Sequence, residues 1–225
     1  MHRHGATRVN AFLARGGLTL LTLAVAGFAG TAPAQEVRAR QNIEYRLIKP
    51  QPVETGDKIE VVDFFWYGCP HCNDFQPSLE SWIKRKPADV VLRRVPAVFR
   101  DSWAPHARIY YTLEQLGEVE RLHQKVYFSY HVEELNMSKP DVMERWAAAN
   151  GIDRERWRKS YSSPEVDARV ENAMRLTEAY SLQGTPSVVV DGRYLTSSSM
   201  TSSYSEMVQI LEELIRLARR TRTGG

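Results

Sequence analysis

Cysteine is nearly absent from this chain, since its 225 residues contain only Cys69 and Cys72. A disulfide between these two residues would close a loop of only four residues, so it would add very little stability to a folded domain. The sequence therefore argues against a scaffold held together by structural disulfides. The sequence indicates instead that the two neighbouring thiols have a chemical role.

A long apolar run is also missing. The run from Leu18 to Gly30 is too short to span a membrane, and no later stretch is long and apolar enough to do so. It follows three arginines and precedes the small-residue site Ala32-Pro33-Ala34. This pattern is typical of a secretory signal peptide, so we expect residues 1–34 to be cleaved near Ala34 and the mature protein to be exported.

The chain has almost no net charge once that segment is removed. The formal charge of +3 comes from 30 lysines and arginines against 27 acidic residues, and the first 34 residues hold three arginines and no acid. Residues 35–225 therefore carry about equal numbers of both signs, and basicity gives no indication of a nucleic-acid or membrane partner. We predict no nucleic-acid binding.

The order of strand-like and helix-like segments predicts an α/β protein. The strand-like segments are residues 45–48, 59–67, 89–99 and the two arms of a hairpin around Asp191-Gly192. The helix-like segments are residues 73–83, 103–116, 119–132, 142–149, a long helix opened by Ser163-Pro164, and 207–217. Between residues 101 and about 162 there is no strand signal, which indicates a helical block inside the α/β domain.

The two cysteines lie where the second strand-like segment meets the next helix. At a helix start, unpaired backbone N–H groups and the positive end of the helix dipole favour a thiolate, so we expect Cys69 to be the reactive thiol. Cys72, one turn further, can resolve the mixed disulfide. His71 can donate to the Cys69 sulfur, which would make the disulfide form a stronger oxidant, and Pro70 stiffens the turn. The sequence predicts a redox-active disulfide between Cys69 and Cys72.

Two other interpretations of Cys-Pro-His-Cys stay open. The motif can be half of a zinc site, although a second cysteine pair is missing and His71 lies inside the same tight loop. The two cysteines can also form an inert disulfide. The strand-loop-helix context favours redox chemistry over both interpretations, and we predict no metal and no cofactor.

Two segments of the chain resemble the DsbA family of periplasmic thiol:disulfide interchange proteins. They are residues 64–72, which read Phe-Phe-Trp-Tyr-Gly-Cys-Pro-His-Cys, and Gly184-Thr185-Pro186-Ser187. The resemblance covers the mature chain from end to end. It implies a thioredoxin-like fold with a central mixed β-sheet and an inserted helical domain. The expected parts are a signal peptide (1–34), a first thioredoxin-like part (35–100), a helical insertion (101–165) and a second thioredoxin-like part (166–225).

The resemblance also implies roles for residues outside the loop. Pro186 resembles the family's cis-proline, which packs beside the cysteines, and Thr185 resembles the residue whose backbone pairs with the substrate. Asp63 lies at the position of a family glutamate that is thought to shuttle the proton of the resolving cysteine. Burial would raise the pKa of Asp63, which suits this role. The alternative is that Asp63 is a solvated or paired acid at a strand end. Trp66 and Tyr67 are expected to form an exposed apolar rim for unfolded substrates, with burial in the core as the alternative.

The function implied by the resemblance is that of a periplasmic dithiol oxidase. It would donate the Cys69–Cys72 disulfide to reduced, newly exported polypeptides through a mixed disulfide, act as a monomer, and be reoxidised by a DsbB-like membrane oxidase. A disulfide reductase or isomerase is the alternative within redox chemistry, but the dimeric relatives of that kind need an N-terminal domain for which residues 35–68 leave no room. A protein that delivers a metal through its thiols is the alternative from a different class.

Overall fold

The structure is a computed structural model that describes residues 39–223; the expected signal peptide and its cleavage near Ala34 lie outside these residues. The strands are β1 Arg46–Leu47, β2 Ile59–Phe65, β3 Val90–Pro96, β4 Ser187–Val190 and β5 Tyr194–Ser197. The helices are α1 Pro70–Ile83, α2 Ala104–Leu116, α3 Val119–His131, α4 Pro140–Ala149, α5 Arg154–Tyr161, α6 Pro164–Ala179 and α7 Tyr204–Thr223, with a 3₁₀ turn at Asp101–Trp103. In this part of the chain, no helix is long and apolar enough to cross a membrane.

The five strands form one mixed sheet in the order β1-β5-β4-β2-β3. Strands β2 and β3 are parallel and are joined through α1, as parallel neighbours require, while β4 pairs antiparallel with β2 and β5 antiparallel with β4. Strand β2 lies between two other strands, and every one of its residues is buried. The predicted α/β class with a central mixed sheet is confirmed.

One face of this sheet packs against α1 and α7. Apolar side chains of the inner strands contact Phe75, Leu79 and Trp82 of α1 and Leu211 and Leu214 of α7, none of which has exposed surface. Burial of a side chain of this size stabilises the fold by roughly 1.5–3 kcal/mol. This layer fixes α1, and with it the cysteine loop at the start of α1, against β2.

The helical block lies between β3 and α6. Helices α2, α3 and α4 were expected within a few residues of their observed ends, but α5 was not predicted as a separate helix. Its sequence is largely charged, and only Trp157 and Ser160 are buried, so the apolar spacing that predicts a helix is missing. The Asp153 side chain caps α5 by accepting a hydrogen bond from the Arg156 N–H at 2.9 Å.

Helix α6 connects the helical block to the sheet. The Ser163 hydroxyl accepts a hydrogen bond from the Val166 N–H at 3.2 Å, and Pro164 occupies the first turn, as the sequence predicted. The helix packs on α2, and its Thr177 hydroxyl oxygen accepts a hydrogen bond from the Val98 N–H, just after β3, at 2.9 Å. The helical block is therefore anchored next to the carboxyl end of β3.

The β4–β5 hairpin turns at Asp191-Gly192, as predicted. Both residues have left-handed backbone angles, with φ of 54° and 62°. This combination suits the primed turns that match the twist of a hairpin. A Cβ atom on Gly192 would lie 2.3 Å from the carbonyl oxygen of Gln51, so the site accommodates only glycine.

The last helix is longer than predicted. The sequence indicated a helix over residues 207–217 and a basic tail, but α7 continues through the basic segment to Thr223. Side chains of that segment are tied to the rest of the fold, because Arg219 binds both Asp89 carboxylate oxygens at 2.8 Å and Arg222 pairs with Asp191. These long-range partners stabilise helical turns whose own sequence gave no apolar signal.

Candidate active site

Cys69 is the N-cap residue of α1, and three residues separate it from the carboxyl end of β2. Its backbone is extended, with φ −90° and ψ 115°, and its sulfur accepts a hydrogen bond from the Cys72 N–H at 3.3 Å. Pro70 occupies the first turn of the helix, where its missing N–H leaves no bond unmade. The free N–H groups and the positive dipole of α1 are thus directed at the Cys69 sulfur.

The two thiols are chemically different. A hydrogen bond with the Cys72 side chain, assisted by Thr185 and by backbone N–H groups, lowers the pKa of the Cys69 thiol from 9.0 to about 6 against the effect of burial. Burial raises the pKa of the Cys72 thiol well above its ordinary value, and the hydrogen bond with Cys69 adds to this. Cys69 is 7% exposed and Cys72 has no exposed surface. An incoming reactant therefore meets Cys69, in its thiolate form.

The loop before β4 lies against this pair. The Thr185–Pro186 peptide bond is cis, as the resemblance implied, and the Cys69 thiol donates to the Thr185 carbonyl oxygen at 3.3 Å. The structure brings together two segments that are separated by more than a hundred residues. Because Pro186 has no N–H, no donor of that residue competes for an approaching polypeptide backbone.

A groove of about 720 Å³ extends from this loop. Its walls are the cis-proline loop, His71 and the serine-rich segment 197–203, with Leu195 and Met200 providing apolar surface. No role for the serine-rich segment was predicted from the sequence. The segment lies at the site because the β4–β5 hairpin folds back along the sheet. The hairpin pattern in the sequence did not show where the hairpin lies relative to the cysteines.

The His71 side chain is exposed, and its Nδ1 atom lies 3.2 Å from the Tyr204 hydroxyl at the start of α7. The sequence suggested a hydrogen bond from the His71 ring to the Cys69 sulfur. The bond that the ring makes is to Tyr204, whereas the backbone N–H of His71 contributes to lowering the pKa of the Cys69 thiol. Tyr204 was not predicted from the sequence, because nothing in its local pattern places α7 beside the cysteine loop.

Asp63 lies in the middle of β2 and has no exposed surface. Neither of its carboxylate oxygens has a hydrogen-bond partner. Burial raises the pKa of Asp63 from 3.8 to about 7, the charge of Arg94 lowers it, and the charge of Glu80 raises it. The predicted burial of Asp63 is confirmed, and the alternative of a solvated or paired acid is wrong.

The expectation of an exposed apolar rim is wrong for Tyr67. Its side chain has no exposed surface, its hydroxyl is hydrogen-bonded to His123 Nδ1 at 2.8 Å, and its carbonyl oxygen lies 2.9 Å from His131 Nε2. The aromatic ring packs against Phe65 and Tyr127. The reason is that α3 covers this end of β2, and the sequence did not reveal on which side of the strand the helical block would pack.

Trp66 is half-buried and lies flat against Trp103, with ring centroids 3.9 Å apart and planes inclined by 3°. Its indole also covers Gly68. A Cβ atom at Gly68 would lie 2.3–2.6 Å from three atoms of this indole ring. The glycine before the cysteine loop is therefore required by the close approach of Trp66.

Substitution of Gly68 by alanine is expected to displace the Trp66 ring and to destabilise the protein by roughly 1–3 kcal/mol, because the stacked indole has to move. Urea unfolding measures the loss, and a change in tryptophan fluorescence reports the displacement. Gly184→Ala is the matched control, because a Cβ atom there meets nothing within 4 Å. Equal stability of the two variants would contradict the role of the indole.

The residues that the structure describes include no group of three or more histidine, cysteine or acidic side chains placed to hold a metal ion. The two sulfurs therefore lie together without a third ligand of these types nearby. The chemistry that this arrangement supports is thiol-disulfide exchange with an external partner, in which the Cys69 sulfur reacts with the partner and the buried Cys72 thiol closes or opens the bond to Cys69.

Comparison with known proteins agrees with this chemistry. Residues 94–210 match the family model described as a DSBA-like thioredoxin domain. The thiol:disulfide interchange protein DsbA of Bordetella parapertussis is 37% identical over 202 residues, which cover 88% of this chain and 96% of that protein. Its counterpart from Pseudomonas aeruginosa is 34% identical over 197 residues, which cover 88% and 93% of the two chains.

Solved structures agree as well. The crystal structure of Pseudomonas aeruginosa DsbA aligns with a TM-score of 0.79 at 33% identity, covering 82% of this chain and 97% of that one. The oxidoreductase DsbA from Xylella fastidiosa aligns with a TM-score of 0.73 at 31% identity, covering 79% and 96%. The thioredoxin-like fold expected from the sequence is confirmed.

Proposed function

The chain belongs to the family of DSBA-like thioredoxin domains and is a thiol:disulfide oxidoreductase, and from this premise we propose that it is a periplasmic dithiol oxidase. It donates the Cys69–Cys72 disulfide to reduced, newly exported polypeptides. The observation that carries this proposal is the asymmetry of the thiols, since the pKa of Cys69 is lowered to about 6 while that of Cys72 is raised.

The asymmetry sets the direction of electron flow. The hydrogen bonds to the Cys69 sulfur stabilise the reduced protein more than the disulfide form, because the thiolate is charged and the sulfur of a disulfide is not. Stabilisation of the reduced form raises the reduction potential of the pair, so the disulfide takes up electrons readily. A low thiol pKa also makes Cys69 the better leaving group when a substrate thiolate completes the exchange.

The reaction proceeds in two exchange steps. A substrate thiolate attacks the Cys69 sulfur, the bond between Cys69 and Cys72 breaks, and Cys72 leaves as a thiolate that takes a proton from Asp63. A second substrate thiolate then attacks the substrate sulfur of the mixed disulfide, and Cys69 leaves as a thiolate. The substrate loses two electrons and gains a disulfide, while the protein becomes the dithiol. A DsbB-like membrane oxidase then removes the two electrons.

The cis-proline loop is the proposed docking edge for the substrate. An extended polypeptide can pair with the backbone of Thr185, beside Pro186, while its side chains enter the groove of about 720 Å³. Pairing through the backbone suits unfolded chains of varied sequence. Trp66, which is half-buried, is still proposed to contact substrate, whereas Tyr67 is no longer proposed to do so because it is buried.

We also propose how the chain is divided into domains and in which oligomeric state it works. Thioredoxin-like parts at residues 35–100 and 166–225 hold the cysteine loop and the cis-proline loop, and residues 101–165 form the helical insertion. We propose that the protein works as a monomer and binds no nucleic acid, and that it needs no cofactor, because the two thiols and Asp63 supply the groups that the exchange requires.

We predict that the Cys69 thiolate titrates with a midpoint near pH 6, measured by thiolate absorbance on the reduced protein. Because the folded-state pKa is lowered, the thiolate predominates above this pH and is lost as the pH falls through it. The low-pH transition should be missing from Cys69→Ser. A single transition at the pH of an ordinary thiol would contradict the assignment of the reactive sulfur.

A redox titration of the pair against glutathione tests the direction of the reaction. The oxidase proposal expects a potential well above that of thioredoxin, together with rapid oxidation of a reduced cysteine peptide. A potential as low as that of thioredoxin would favour a reductase. Purified protein whose thiols quantitatively hold copper or zinc, and which fails to oxidise the peptide, would favour metal delivery.

A further inference from the structure

Arg94 and Asp63 are neighbours in the sheet without being partners. Arg94 on β3 lies opposite Asp63 in the parallel register of β2 and β3, so the two side chains leave the same face of the sheet. The carboxylate oxygens of Asp63 nevertheless have no hydrogen-bond partner. The Arg94 guanidinium instead donates to Glu80 Oε1 on α1 at 2.6 Å, and it lies 3.8 Å from Glu120 Oε1 on α3.

This arrangement is unusual for buried charges. The Arg94 side chain is 9% exposed and Asp63 has no exposed surface, so each would gain from a direct ion pair with the other. Glu80, whose side chain is 31% exposed, holds the guanidinium instead. A cleft of about 150 Å³ lies on that side, lined by Glu80, Arg94 and Glu120 among others. The cation is therefore drawn toward the solvent side of α1.

We propose that Glu80 is a positioning residue for proton transfer, because it holds the Arg94 guanidinium away from Asp63 and so leaves the Asp63 carboxyl group free to gain and lose a proton. This inference rests on the oxidase function proposed above. It assigns a role in the same reaction to an ion pair that lies outside the cysteine loop and the cis-proline loop.

The redox cycle requires both forms of Asp63. When the Cys69–Cys72 bond opens, the departing Cys72 thiolate takes a proton from the neutral carboxylic acid. When the pair is reoxidised, the Cys72 thiol returns its proton to the Asp63 carboxylate and the resulting thiolate attacks the Cys69 sulfur. A pKa of about 7 keeps both forms of the acid populated near neutral pH. A direct ion pair with Arg94 would leave almost only the carboxylate.

The charged and titratable groups around Asp63 come from three elements. They are Arg94 on β3, Glu80 on α1, and Tyr127 on α3, whose pKa is raised by burial and then by the charges of Cys72 and Asp63. On the β4 side the register partner of Asp63 is Val188, which carries no charge. The protonation of Asp63 thus depends on whether the Arg94 guanidinium lies at Asp63 or at the carboxylates of Glu80 and Glu120.

The test is to titrate the Asp63 carboxyl group in Glu80→Gln. The protonated carboxyl band in difference infrared spectra of the oxidised protein reports this group without interference from thiols, and Asp63→Asn identifies the band. We expect the midpoint to fall by about one unit or more, since an adjacent arginine lowers an aspartate pKa by about 1–3 units. At pH 7 this shift reduces the acid form roughly fivefold, and we expect the opening of the disulfide by a reduced peptide to slow by about the same factor.

A second substitution separates repositioning of Arg94 from the loss of the Glu80 charge itself. Glu80→Gln is therefore also introduced into Arg94→Leu, where no cation remains to move, and the Asp63 midpoint should be the same in Glu80→Gln/Arg94→Leu as in Arg94→Leu. A fall between these two variants as large as that between wild type and Glu80→Gln would overturn the proposal, because it would show a direct effect of the Glu80 charge. An unchanged midpoint in Glu80→Gln would overturn it as well.

Two further variants complete the test. Glu144→Gln is the matched control, since it breaks an ion pair with Arg158 at 2.7 Å within the helical block and should leave the Asp63 midpoint unchanged. Glu80→Ala replaces Glu80→Gln if the latter does not fold, with the same expected shift and the same overturning result. The carboxyl titration does not depend on peptide oxidation. Failure of the wild-type protein to oxidise peptides, with the shift still present in Glu80→Gln, would therefore refute only the oxidase proposal.

Discussion

Replacement of Cys69 by serine is expected to abolish the oxidation of reduced cysteine peptides. The accessible sulfur of the pair and the hydrogen bonds that stabilise a thiolate both belong to Cys69, whereas Cys72 has no exposed surface. The remaining thiol at Cys72 is buried and its pKa is raised, so it is a poor nucleophile at neutral pH. The rate of peptide oxidation, measured against the uncatalysed rate, should fall to that background.

Replacement of Cys72 by serine is expected to have the opposite effect on intermediates. Cys69 keeps its position at the N-cap of α1 and still attacks a disulfide, but no neighbouring thiol can resolve the product. Mixed disulfides at Cys69 should therefore accumulate during exposure to disulfide substrates, and mass spectrometry of the trapped adducts would locate them. The double variant with serine at both positions is the control. Absence of adducts in Cys72→Ser would contradict the assignment of the two roles.

The sequence predicted the parts of the site that are contiguous or carry a strong local pattern. The β2–loop–α1 arrangement follows from a buried strand that leads directly into Cys-Pro-His-Cys. The Asp191-Gly192 turn was predicted because two left-handed residues between apolar strands have few other interpretations. In both cases the residues that determine the structure are neighbours in the chain.

The parts that were not predicted depend on contacts between distant segments. Tyr67 was expected at the surface. Its burial results from α3, which lies more than fifty residues further along the chain, so the local sequence did not indicate it. Tyr204 and the Glu80–Arg94 pair gave no local signal, since each matters only once α7, α1 and β3 are assembled. The sequence could indicate that Asp63 is buried, but it could not show that the nearby arginine is engaged elsewhere.

Replacement of Asp63 by asparagine is expected to stabilise the oxidised protein at alkaline pH. Burial raises the pKa of this carboxyl group from 3.8 to about 7, so the folded state binds its proton more tightly than the unfolded state does. The wild-type protein therefore loses stability as the pH rises from about 4 to about 7, and the loss is complete above that range. A difference of about three units corresponds to at most about 4 kcal/mol.

Urea unfolding of wild type and Asp63→Asn at pH 5 and pH 8 measures this effect. The advantage of the asparagine variant should be less than half of its full size at pH 5 and should reach nearly all of it at pH 8. Glu60→Gln is the matched control, because Glu60 is also buried in β2 but is paired with Arg93 at 3.2 Å. That substitution leaves Arg93 with one partner fewer and should destabilise the protein at both pH values. A stability difference between wild type and Asp63→Asn that does not depend on pH would contradict the raised pKa.

The same substitution should slow the exchange reaction, because asparagine neither donates a proton to the Cys72 thiolate nor accepts one from the thiol. A variant that is more stable but slower would explain why the centre of β2 carries an acid without a partner. An apolar residue at this position would pack as its neighbours do and would avoid the loss of stability at neutral pH. The presence of an unpaired buried acid in β2, the strand that leads into the cysteine loop, is therefore best explained by its use in proton transfer.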